Sequence, residues 1–371
     1  MAKVLILSSE KTGSGHLASA KAISKKLTSM GIENKIFDCF PTMGKMGVDM
    51  ENAYIPFTTK HPYLWKISHG FTELFPDVLH LFIYLNSKKR MWKAIKKYNP
   101  DLIISDHCMF TKAISKLLRK HKLKGPYLIA VIDLVKPPRV WFDDHADIMF
   151  VPTEEVKARY LRDGYFRTGV TEDHVIVSGF PIREDIIVRT TPKEIGERIN
   201  VLMVNASVNL KANLKFAREV SRLENVNLKI VCGYDDRLYK ALLKEKEKNP
   251  TMKNVEVLSY VTNMNELLAE AHVLMTKAGP NMILEGTKSG TAVIVTGHIP
   301  GQEAKNYTYI TDNGYGLKCE NPAKIAETLE NFISSGELEK ALERTLHSDF
   351  NDGTGIMCQT IEKFLKDAGK M

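Results

Sequence analysis

Three absences narrow the class of this protein before any motif is considered. No apolar run approaches the roughly 20 residues that a membrane-spanning helix requires. The first strand-like run, Lys3 to Ser8, is not preceded by the pattern of a secretory signal. The five cysteines are scattered and form no C-x-x-C pair, so we expect free thiols in a reducing cytoplasm and no zinc or other metal site.

The chain also lacks the zinc-finger, RNP and helix-turn-helix motifs of nucleic-acid-binding proteins. It is nevertheless basic, with a formal net charge of +8 at pH 7. A basic protein attracts nucleic acid, anionic lipid or an anionic small molecule. Without a recognised motif, nucleic acid is the weakest of these three, and we expect no nucleic-acid partner.

The size and composition predict two globular domains. The chain has 371 residues, of which 44% are hydrophobic and 26% charged. The turn Gly179-Phe180-Pro181-Ile182-Arg183 closes the first half, and the polar run Thr190 to Arg198 reads as a linker. We therefore expect an N-terminal domain at 1–190 and a C-terminal domain at 191–350. Residues 351–371 are expected to form a last helix that crosses back to the N-terminal domain.

Strand-like apolar runs alternate with helical patterns along both halves. In the first half, strands are predicted near residues 3–8, 34–38, 101–105, 127–132, 147–151 and 175–177. In the second half, they are predicted near residues 200–205, 227–232, 255–258, 272–276 and 291–296. The helices of the second half are predicted near 211–223, 235–248, 263–271, 281–289 and 302–313. Such alternation predicts an α/β fold with a doubly wound, Rossmann-like parallel sheet in each half.

The stretch from Thr276 to Glu285 carries the densest set of ligand-binding features. A Gly279-Pro280 turn leads into a helix that Asn281 opens, and the free N–H groups and partial positive charge of such a helix end suit phosphate. Glu285, one turn further along, can accept hydrogen bonds from ribose hydroxyls. Each feature alone is also ordinary, because Gly-Pro turns are common and an early glutamate offsets the helix dipole.

A second turn follows the next strand. Gly297 and Pro300-Gly301 direct Gln302 and Glu303 toward the same end of the sheet, where an amide and a carboxylate can bind sugar hydroxyls. Together the two strand ends supply amides for a diphosphate, an acceptor for ribose and partners for a hexose. These are the groups that a nucleotide sugar requires.

His16 is the candidate general base. It follows Gly13-Ser14-Gly15 and lies in the first turn of a helix, four residues before Ala20 on the apolar stripe. It is therefore either the first core-facing residue or a side chain at the ligand-binding carboxyl edge of the sheet. The positive helix end disfavours imidazolium, which leaves a neutral ring able to accept a proton at pH 7. The turn is not the dinucleotide fingerprint, because the third glycine is missing.

Three more polar residues end strands at the same predicted edge. Asp106 and His107 follow the strand near 101–105, and Asp133 follows the strand near 127–132. Asp106 either pairs with His16 or caps the next segment, and capping is the more common role. Asp133 either orients the imidazole, meets the acceptor substrate or caps the following loop.

Segment 54–97 combines apolar, aromatic and basic residues. Pro56, Pro62 and Pro76 interrupt it, which predicts short helices. Its second part carries the basic residues Lys88, Lys89, Arg90, Lys93, Lys96 and Lys97. Such a combination is typical of a protein that binds an anionic membrane surface. The alternative is a core helix followed by a solvated basic helix.

These motifs together match the pattern of a known family. In the first half the matching motifs are Thr12-Gly13-Ser14-Gly15-His16, Ile132-Asp133-Leu134 with Trp141, Val151-Pro152-Thr153-Glu154 and Gly179-Phe180-Pro181-Ile182-Arg183. In the second half they are Cys232-Gly233, Val261-Thr262-Asn263-Met264, Thr276-Lys277-Ala278-Gly279, Glu285 and Ile299-Pro300-Gly301-Gln302-Glu303 with Asn306. From about residue 3 to 335, the chain resembles the monogalactosyldiacylglycerol synthase and processive diacylglycerol glucosyltransferase branch of glycosyltransferase family 28.

The resemblance implies a GT-B fold, in which two Rossmann-like domains face each other across a cleft. It implies a lipid acceptor on the N-terminal domain and a UDP-sugar on the C-terminal domain. His16 would deprotonate the acceptor hydroxyl, with Asp133 as the second catalytic residue, and direct displacement would invert the anomeric carbon. The helix that begins near Asn281 would stabilise the leaving diphosphate without a metal ion or other cofactor.

The implied donor is UDP-glucose or UDP-galactose, and the implied acceptor is a diacylglycerol-type lipid. The protein would bind the inner face of the cell membrane peripherally through residues 54–97. The residues implied to bind the nucleotide sugar are Gly13, Gly15, Gly233, Val261, Thr262, Lys277, Ala278, Gly279, Asn281, Glu285, Pro300, Gly301, Gln302 and Glu303.

Two positions depart from the family pattern. The run Asn205-Ala206-Ser207-Val208-Asn209-Leu210 replaces a glycine-rich turn, and Pro138 stands where plant members have a histidine. Both allow reduced activity or an altered donor. The alternatives are the same machinery acting on an undecaprenyl-linked acceptor, a nucleotide-sugar-binding protein without turnover, and a sugar-nucleotide epimerase of similar fold.

Overall fold

The computed structural model describes residues 2–12, 14–123, 125–162, 171–348 and 353–371. The chain forms two compact units. The first comprises Met1–Glu184, Pro300–Gln302 and Asn351–Met371, and the second comprises Asp185–Ile299 and Glu303–Phe350. The main division therefore falls at 184/185, where the sequence pattern placed it at 190/191.

The first unit contains a six-stranded parallel sheet in the order β2-β1-β3-β4-β5-β6. Its strands are β1 Lys3–Ser8, β2 Glu33–Asp38, β3 Leu102–Ser105, β4 Tyr127–Ala130, β5 Ile148–Val151 and β6 Val175–Val177. Its helices are α1 Ser14–Ser29, α2 Lys45–Lys60, α3 Pro62–Leu74, α4 Pro76–Tyr98, α5 Thr111–His121, α6 Glu154–Arg162 and α14 Gly353–Asp367. The strand order reverses between β1 and β3, and ligands of such sheets bind at the carboxyl ends of the strands beside that point.

The core of the first unit lies between its sheet and the helices α1 and α14. Val4 and Ile6 of β1 pack in one fully buried cluster with Ile23 and Leu27 of α1 and Ile361 of α14. Burial of these side chains is what holds both helices on the sheet. The last helix of the chain is therefore a structural part of the first unit.

Helices α2, α3 and α4 follow one another, separated by His61 and Phe75. Pro62 and Pro76 occupy the first positions of α3 and α4, where a missing N–H costs little. Pro56, expected to interrupt the segment, instead lies inside α2. Within the described part of the chain, none of the helices is long and apolar enough to cross a bilayer.

The second unit contains a six-stranded parallel sheet in the order β12-β11-β10-β7-β8-β9. Its strands are β7 Ile199–Val204, β8 Val226–Val231, β9 Glu256–Leu258, β10 Val273–Lys277, β11 Ala292–Gly297 and β12 Gly316–Lys318. Its helices are α7 Leu210–Val220, α8 Asp236–Lys248, α9 Met264–Glu270, α10 Pro280–Lys288, α11 Asn306–Asp312, α12 Ile325–Ser334 and α13 Glu337–Thr345. The sequence did not predict β12, and it predicted that α11 begins at residue 302 rather than 306.

The polar run Thr190 to Arg198, interpreted as a linker, belongs to the second unit and is held there by a buried lysine. The Lys193 ammonium donates to the carbonyls of Leu268 and Ala271 at 2.8 and 2.6 Å and to Thr291 Oγ1 at 2.6 Å. Burial lowers the pKa of Lys193 to about 7. The three acceptors use all three donors of the ammonium group, which fixes this segment to α9 and β11.

Candidate active site

His16 lies where the sequence placed it, in the first turn of α1. Its side chain is 8% exposed, and its Nδ1 atom lies 2.6 Å from the backbone carbonyl oxygen of Asp106. A carbonyl oxygen only accepts, so Nδ1 carries the hydrogen and Nε2 is left unprotonated in the neutral ring. The structure therefore combines the two interpretations of His16, because the residue is buried and also held in the tautomer of a proton acceptor.

Burial lowers the pKa of His16 to about 4, and the hydrogen bond to the Asp106 carbonyl opposes this shift. The ring is therefore neutral throughout the physiological pH range. Burial also raises the pKa of the Asp106 carboxyl to about 8, although the Ser8 hydroxyl opposes that shift. Asp106 consequently contacts His16 through its backbone and does not form an ion pair with it.

The ring of His16 packs between two aromatic side chains. His107 lies on one side with ring centroids 4.4 Å apart, and Trp141 stacks with His16 at 6.2 Å. The Trp141 indole N–H donates to Asp133 Oδ2 at 2.6 Å. The imidazole is oriented by the hydrogen bond that it donates to the Asp106 carbonyl. Asp133 supports the ring indirectly, through its hydrogen bond with Trp141.

His107, and not Asp106, has the capping role that was expected of Asp106. His107 is the N-cap of the short 3-10 helix Cys108–Phe110, and its Nδ1 atom accepts the backbone N–H of Met109 at 3.4 Å. The sequence had singled out His107 only as a strand-end residue. Its packing against His16 depends on two segments about 90 residues apart, so no local pattern reveals it.

Gln302 belongs to the first unit. Its Oε1 atom accepts from the hydroxyl of Tyr54 at 2.7 Å. The preceding Gly301 has φ +84°, and a Cβ there would lie 3.0 Å from the His69 ring. Glycine is therefore required at position 301, because of its positive φ and because of the close approach of the His69 ring.

In the second unit, the turn before α10 differs in detail from the prediction. Gly279 is the N-cap, Pro280 is the first helical residue, and Asn281 follows inside the helix rather than capping it. The first turn of α10 contains no acidic side chain. No carboxylate of that turn therefore offsets the partial positive charge of this helix end.

Lys277 and Glu303 form an ion pair beside this turn. Lys277 Nζ lies 2.5 Å from Glu303 Oε1, and Glu303 Oε2 accepts the backbone N–H of Ile299 at 2.8 Å. A Cβ at Gly279 would lie 3.0 Å from Lys277 Nζ. Asn306 donates to the Ala278 carbonyl at 2.9 Å, so the predicted residues of two strand ends do meet.

Glu285 lies in the middle of α10 and is 4% exposed. Gly233, with φ +59°, follows β8, and Tyr234 comes directly after it. Tyr234 and Tyr260 are 83% and 53% exposed and stack with ring centroids 4.4 Å apart. Val261 and Thr262 come directly after this pair, so the carboxyl edge of β8 and β9 carries an aromatic surface.

The run Asn205 to Leu210 keeps a glycine-like backbone without glycine. Asn205 has φ +45°, a conformation that asparagine tolerates better than most residues. Asn209 caps α7 by accepting the N–H groups of Lys211 and Ala212. Asn205 thus supplies the positive φ of the turn after β7, and Asn209 supplies the cap of the helix that follows.

The remaining predicted residues are placed as follows. Gly15 lies in the first turn of α1, whereas Gly13 lies outside the described residues. In the first unit His107, Trp141 and Asp133 gather around His16, and in the second unit Gly279, Glu303 and Asn306 gather around Lys277 and Ala278. Among the residues that the structure describes, no group of three or more His, Cys, Asp or Glu side chains is arranged to hold a metal ion.

Comparisons with known proteins give a consistent assignment for both halves of the chain. Residues 16–182 match the monogalactosyldiacylglycerol (MGDG) synthase family, and residues 200–352 match the glycosyltransferase family 28 C-terminal domain. Monogalactosyldiacylglycerol synthase 1 of Arabidopsis thaliana is 28% identical over 366 residues, which cover 92% of this chain and 66% of that protein. The Spinacia oleracea synthase is 27% identical over 356 residues, which cover 89% and 66%. The chain spans just under two thirds of the length of these relatives.

Solved structures agree on the fold. MurG of Acinetobacter baumannii superposes with a TM-score of 0.64 at 14% identity, covering 98% of this chain and 100% of MurG. The S. aureus MnaA–UDP complex superposes with a TM-score of 0.62 at 12% identity, covering 99% and 97%. At these identities the likeness establishes the GT-B fold and not the activity.

Proposed function

Because the chain belongs to the monogalactosyldiacylglycerol synthase branch of glycosyltransferase family 28, we propose that it transfers a hexose from a UDP-sugar to a diacylglycerol-type lipid. The hexose is glucose or galactose, and the product is a β-glycolipid. The observation that carries the proposal is the tautomer of His16. Its Nδ1–H is bound to the Asp106 carbonyl, and its Nε2 is left to accept a proton.

In the proposed reaction, His16 Nε2 takes the proton of the acceptor hydroxyl as the hydroxyl oxygen attacks the anomeric carbon. The bond from that carbon to the diphosphate oxygen breaks, UDP leaves with the electron pair, and the configuration inverts. The Asp106 carbonyl stabilises the imidazolium that forms. The N–H groups at the start of α10 bind the diphosphate as its charge increases, and we propose that this requires no metal cofactor.

The proposed donor site lies in the second unit. The turn before α10 provides the diphosphate-binding N–H groups, Glu285 accepts from the ribose hydroxyls, and Glu303 meets the hexose. The stacked Tyr234 and Tyr260 offer an aromatic face for the base. The presence of His16 and of the Gln302-Glu303 pair argues against the alternative of a binding protein without turnover.

A transfer assay tests the proposal directly. The purified protein is incubated with UDP-glucose or UDP-galactose and with vesicles that contain either diacylglycerol or an undecaprenyl-linked sugar, and products are identified by mass. We expect a gain of one hexose on diacylglycerol with one of the two donors. A product formed only on the undecaprenyl lipid would favour the alternative acceptor, and no product with any pair would contradict the proposed function.

We also propose that α3, α4 and α5 bind an anionic membrane surface at the inner face of the cell membrane. None of the side chains of α3 is buried. The exposed apolar residues of α3, α4 and the residue between them are Tyr63, Leu64, Ile67, Phe71, Leu74, Phe75, Val78, Leu81, Phe82 and Leu85. An exposed apolar surface of this extent favours membrane contact over the alternative of a core helix.

The basic part of this surface extends beyond the predicted segment. Lys88 of α4 and Lys116 of α5 both lie over the Tyr84 ring, at 5.5 and 4.7 Å. Trp92 of α4 stacks with His121 of α5 at 3.9 Å. The two helices are thus joined, and their lysines supply positive charge for anionic head groups.

The membrane proposal predicts a large effect of charge on the apolar face. The triple variant Leu64→Asp, Ile67→Asp and Phe71→Asp should lower partitioning into anionic vesicles at least about 100-fold, because each apolar side chain contributes roughly 1.5 kcal/mol or more when buried. Vesicle sedimentation measures this. The matched control replaces Ile187, Val188 and Leu243, which are exposed apolar residues of the second unit, and should bind normally. Equal binding by both triple variants would contradict the proposal.

A further inference from the structure

The turn Ser9 to Thr12, which precedes α1 and His16, is held by one side chain from a distant helix. Glu51 of α2 is 2% exposed. Its Oε1 atom accepts the Ser9 hydroxyl at 2.7 Å and the backbone N–H groups of Glu10 and Lys11 at 3.1 and 2.9 Å. Three hydrogen bonds to one buried oxygen fix the backbone of the turn relative to α2.

A chain of hydrogen bonds runs from this turn to His107, the histidine beside His16, and the donor and the acceptor of each bond can be assigned. A carboxylate oxygen only accepts, so the Ser9 hydroxyl must donate to Glu51. Ser9 Oγ in turn accepts the Thr12 hydroxyl at 2.7 Å and the Thr12 backbone N–H at 3.2 Å. Thr12 Oγ1, having donated to Ser9, can accept from His107 Nε2, which lies 3.3 Å away.

This chain fixes the tautomer of His107. The Met109 N–H donates to Nδ1, so the ring hydrogen lies on Nε2 and points to Thr12. Burial lowers the pKa of His107, and the neighbouring His16 lowers it further. Both nitrogens of His107 are therefore used, and the ring forms a neutral wall against which the His16 ring packs at 4.4 Å.

We propose that Glu51 is a positioning residue for His16. It holds the turn from which α1 begins and orders the Ser9–Thr12–His107 chain that keeps His107 neutral and in place. The proton of the acceptor hydroxyl is then directed to His16 Nε2 and to no other nitrogen of the pair. The proposal rests on the proposed function of His16 as the base, and it assigns Glu51 no contact with either substrate.

A double-mutant cycle tests the coupling. Glu51→Ala should lower kcat about 10- to 100-fold, because a displacement of about 1 Å in a reacting group has effects of this size. The affinity for UDP should stay unchanged. In the His16→Ala background, the same substitution should change the residual rate less than twofold, because the group through which Glu51 acts is already gone. The proposal would be overturned if Glu51→Ala lowered kcat equally in both backgrounds, or if it did not lower kcat in the unmodified protein.

Two further variants separate positioning from general stability. Glu51→Gln keeps an acceptor oxygen and should recover most of the rate. Asp49→Asn removes a carboxylate from the same helix at an exposed position and should behave like the unmodified protein. The melting temperature of each variant is measured, and a loss of kcat in Glu51→Ala that merely follows a lower melting temperature would also contradict the proposal.

A measurement without turnover distinguishes failure of this proposal from failure of the proposed function. Imidazole 15N chemical shifts of selectively labelled protein report the tautomer of each histidine, and His107→Gln assigns the signal. We expect the Nε2–H form for His107 in the unmodified protein and a mixture of tautomers in Glu51→Ala. An unchanged tautomer would refute the role of Glu51. If His16→Ala instead kept full transfer activity, His16 would not be the general base. The result on the tautomer of His107 would remain valid.

Discussion

Replacing His16 with alanine should reduce hexose transfer about 10²- to 10⁴-fold, the range that a positioned general base contributes. The affinity for UDP should not change, because the cluster around Lys277 belongs to the second unit. Initial rates of product formation at saturating donor and lipid measure the first quantity, and calorimetric titration with UDP measures the second. Full activity in this variant would remove the basis of the proposed mechanism.

The matched control for this variant is His347→Ala. His347 is exposed and belongs to the second unit, so its replacement should leave the rate unchanged. His16→Gln is a second comparison, because its amide can keep a donor toward the Asp106 carbonyl but provides no basic nitrogen. It should retain the melting temperature better than alanine while remaining as inactive.

The same residue predicts the form of the pH profile. Since the folded pKa of His16 is lowered to about 4 from an ordinary 6.5, the acid limb of kcat/KM should lie well below pH 6.5. The same pKa shift determines whether the protonation of His16 favours or opposes folding as the pH falls. Between pH 6.5 and 4 the unfolded chain binds the proton and the folded chain does not, so this group makes folding less favourable as the pH falls through that window. The acid dependence of unfolding should therefore be weaker in His16→Gln.

Replacing Glu285 with alanine should weaken UDP binding about 10- to 100-fold, because a hydrogen bond to a charged acceptor contributes roughly 1.5–3 kcal/mol. Glu285 is buried on α10, behind the turn that receives the diphosphate in the proposed function. Titration calorimetry with UDP measures the effect. Uridine should show the same relative loss as UDP, since the contact is made to ribose and not to phosphate.

Two variants control for indirect effects of Glu285→Ala. Glu285→Gln keeps one acceptor oxygen and should give an intermediate affinity. Glu330→Ala removes an exposed glutamate from α12 of the same unit and should bind UDP normally. A variant at position 285 that melts like the unmodified protein and binds UDP with unchanged affinity would show that the ribose contact is assigned to the wrong residue.

The central parallel strands were predictable because they are short buried runs, as in β1, where five consecutive side chains are buried. The exception is β12, which is three residues long and begins with Gly316. A Cβ at that position would lie 1.9 Å from the Val293 carbonyl. In the sequence, Gly316 indicates a turn. In the structure, glycine is required there because its backbone lies close to the neighbouring strand β11.

Helix starts were less predictable than strands, because a loop can use residues of high helical propensity for other contacts. Glu303 was expected in the first turn of a helix. It instead pairs with Lys277 and accepts the Ile299 N–H, which keeps the chain out of a helix until Asn306. Gly279 likewise takes the capping position that the asparagine was expected to hold.

The residues of the candidate site could also be predicted only in part. His16 could be selected because its turn, helix and strand are adjacent in sequence. His107, Trp141 and Glu51 reach that turn or the ring of His16 from 40 to more than 100 positions away. The sequence placed His107 at the same sheet edge and Trp141 in a family motif, but it did not reveal their contacts with His16, and it did not single out Glu51. Contacts of this kind follow from the strand order of the sheet and become visible only when that order is known.

The position of α14 has a consequence for synthesis on the ribosome. Met357, Ile361 and Leu365 fill part of the core beneath β1 and α1, so a segment translated before the second unit is completed by one translated after it. The second unit, which is encoded between them, can close its own core while the first still waits for its final helix. A nascent chain arrested near residue 348 should therefore resist protease in its later half and remain sensitive in its earlier one.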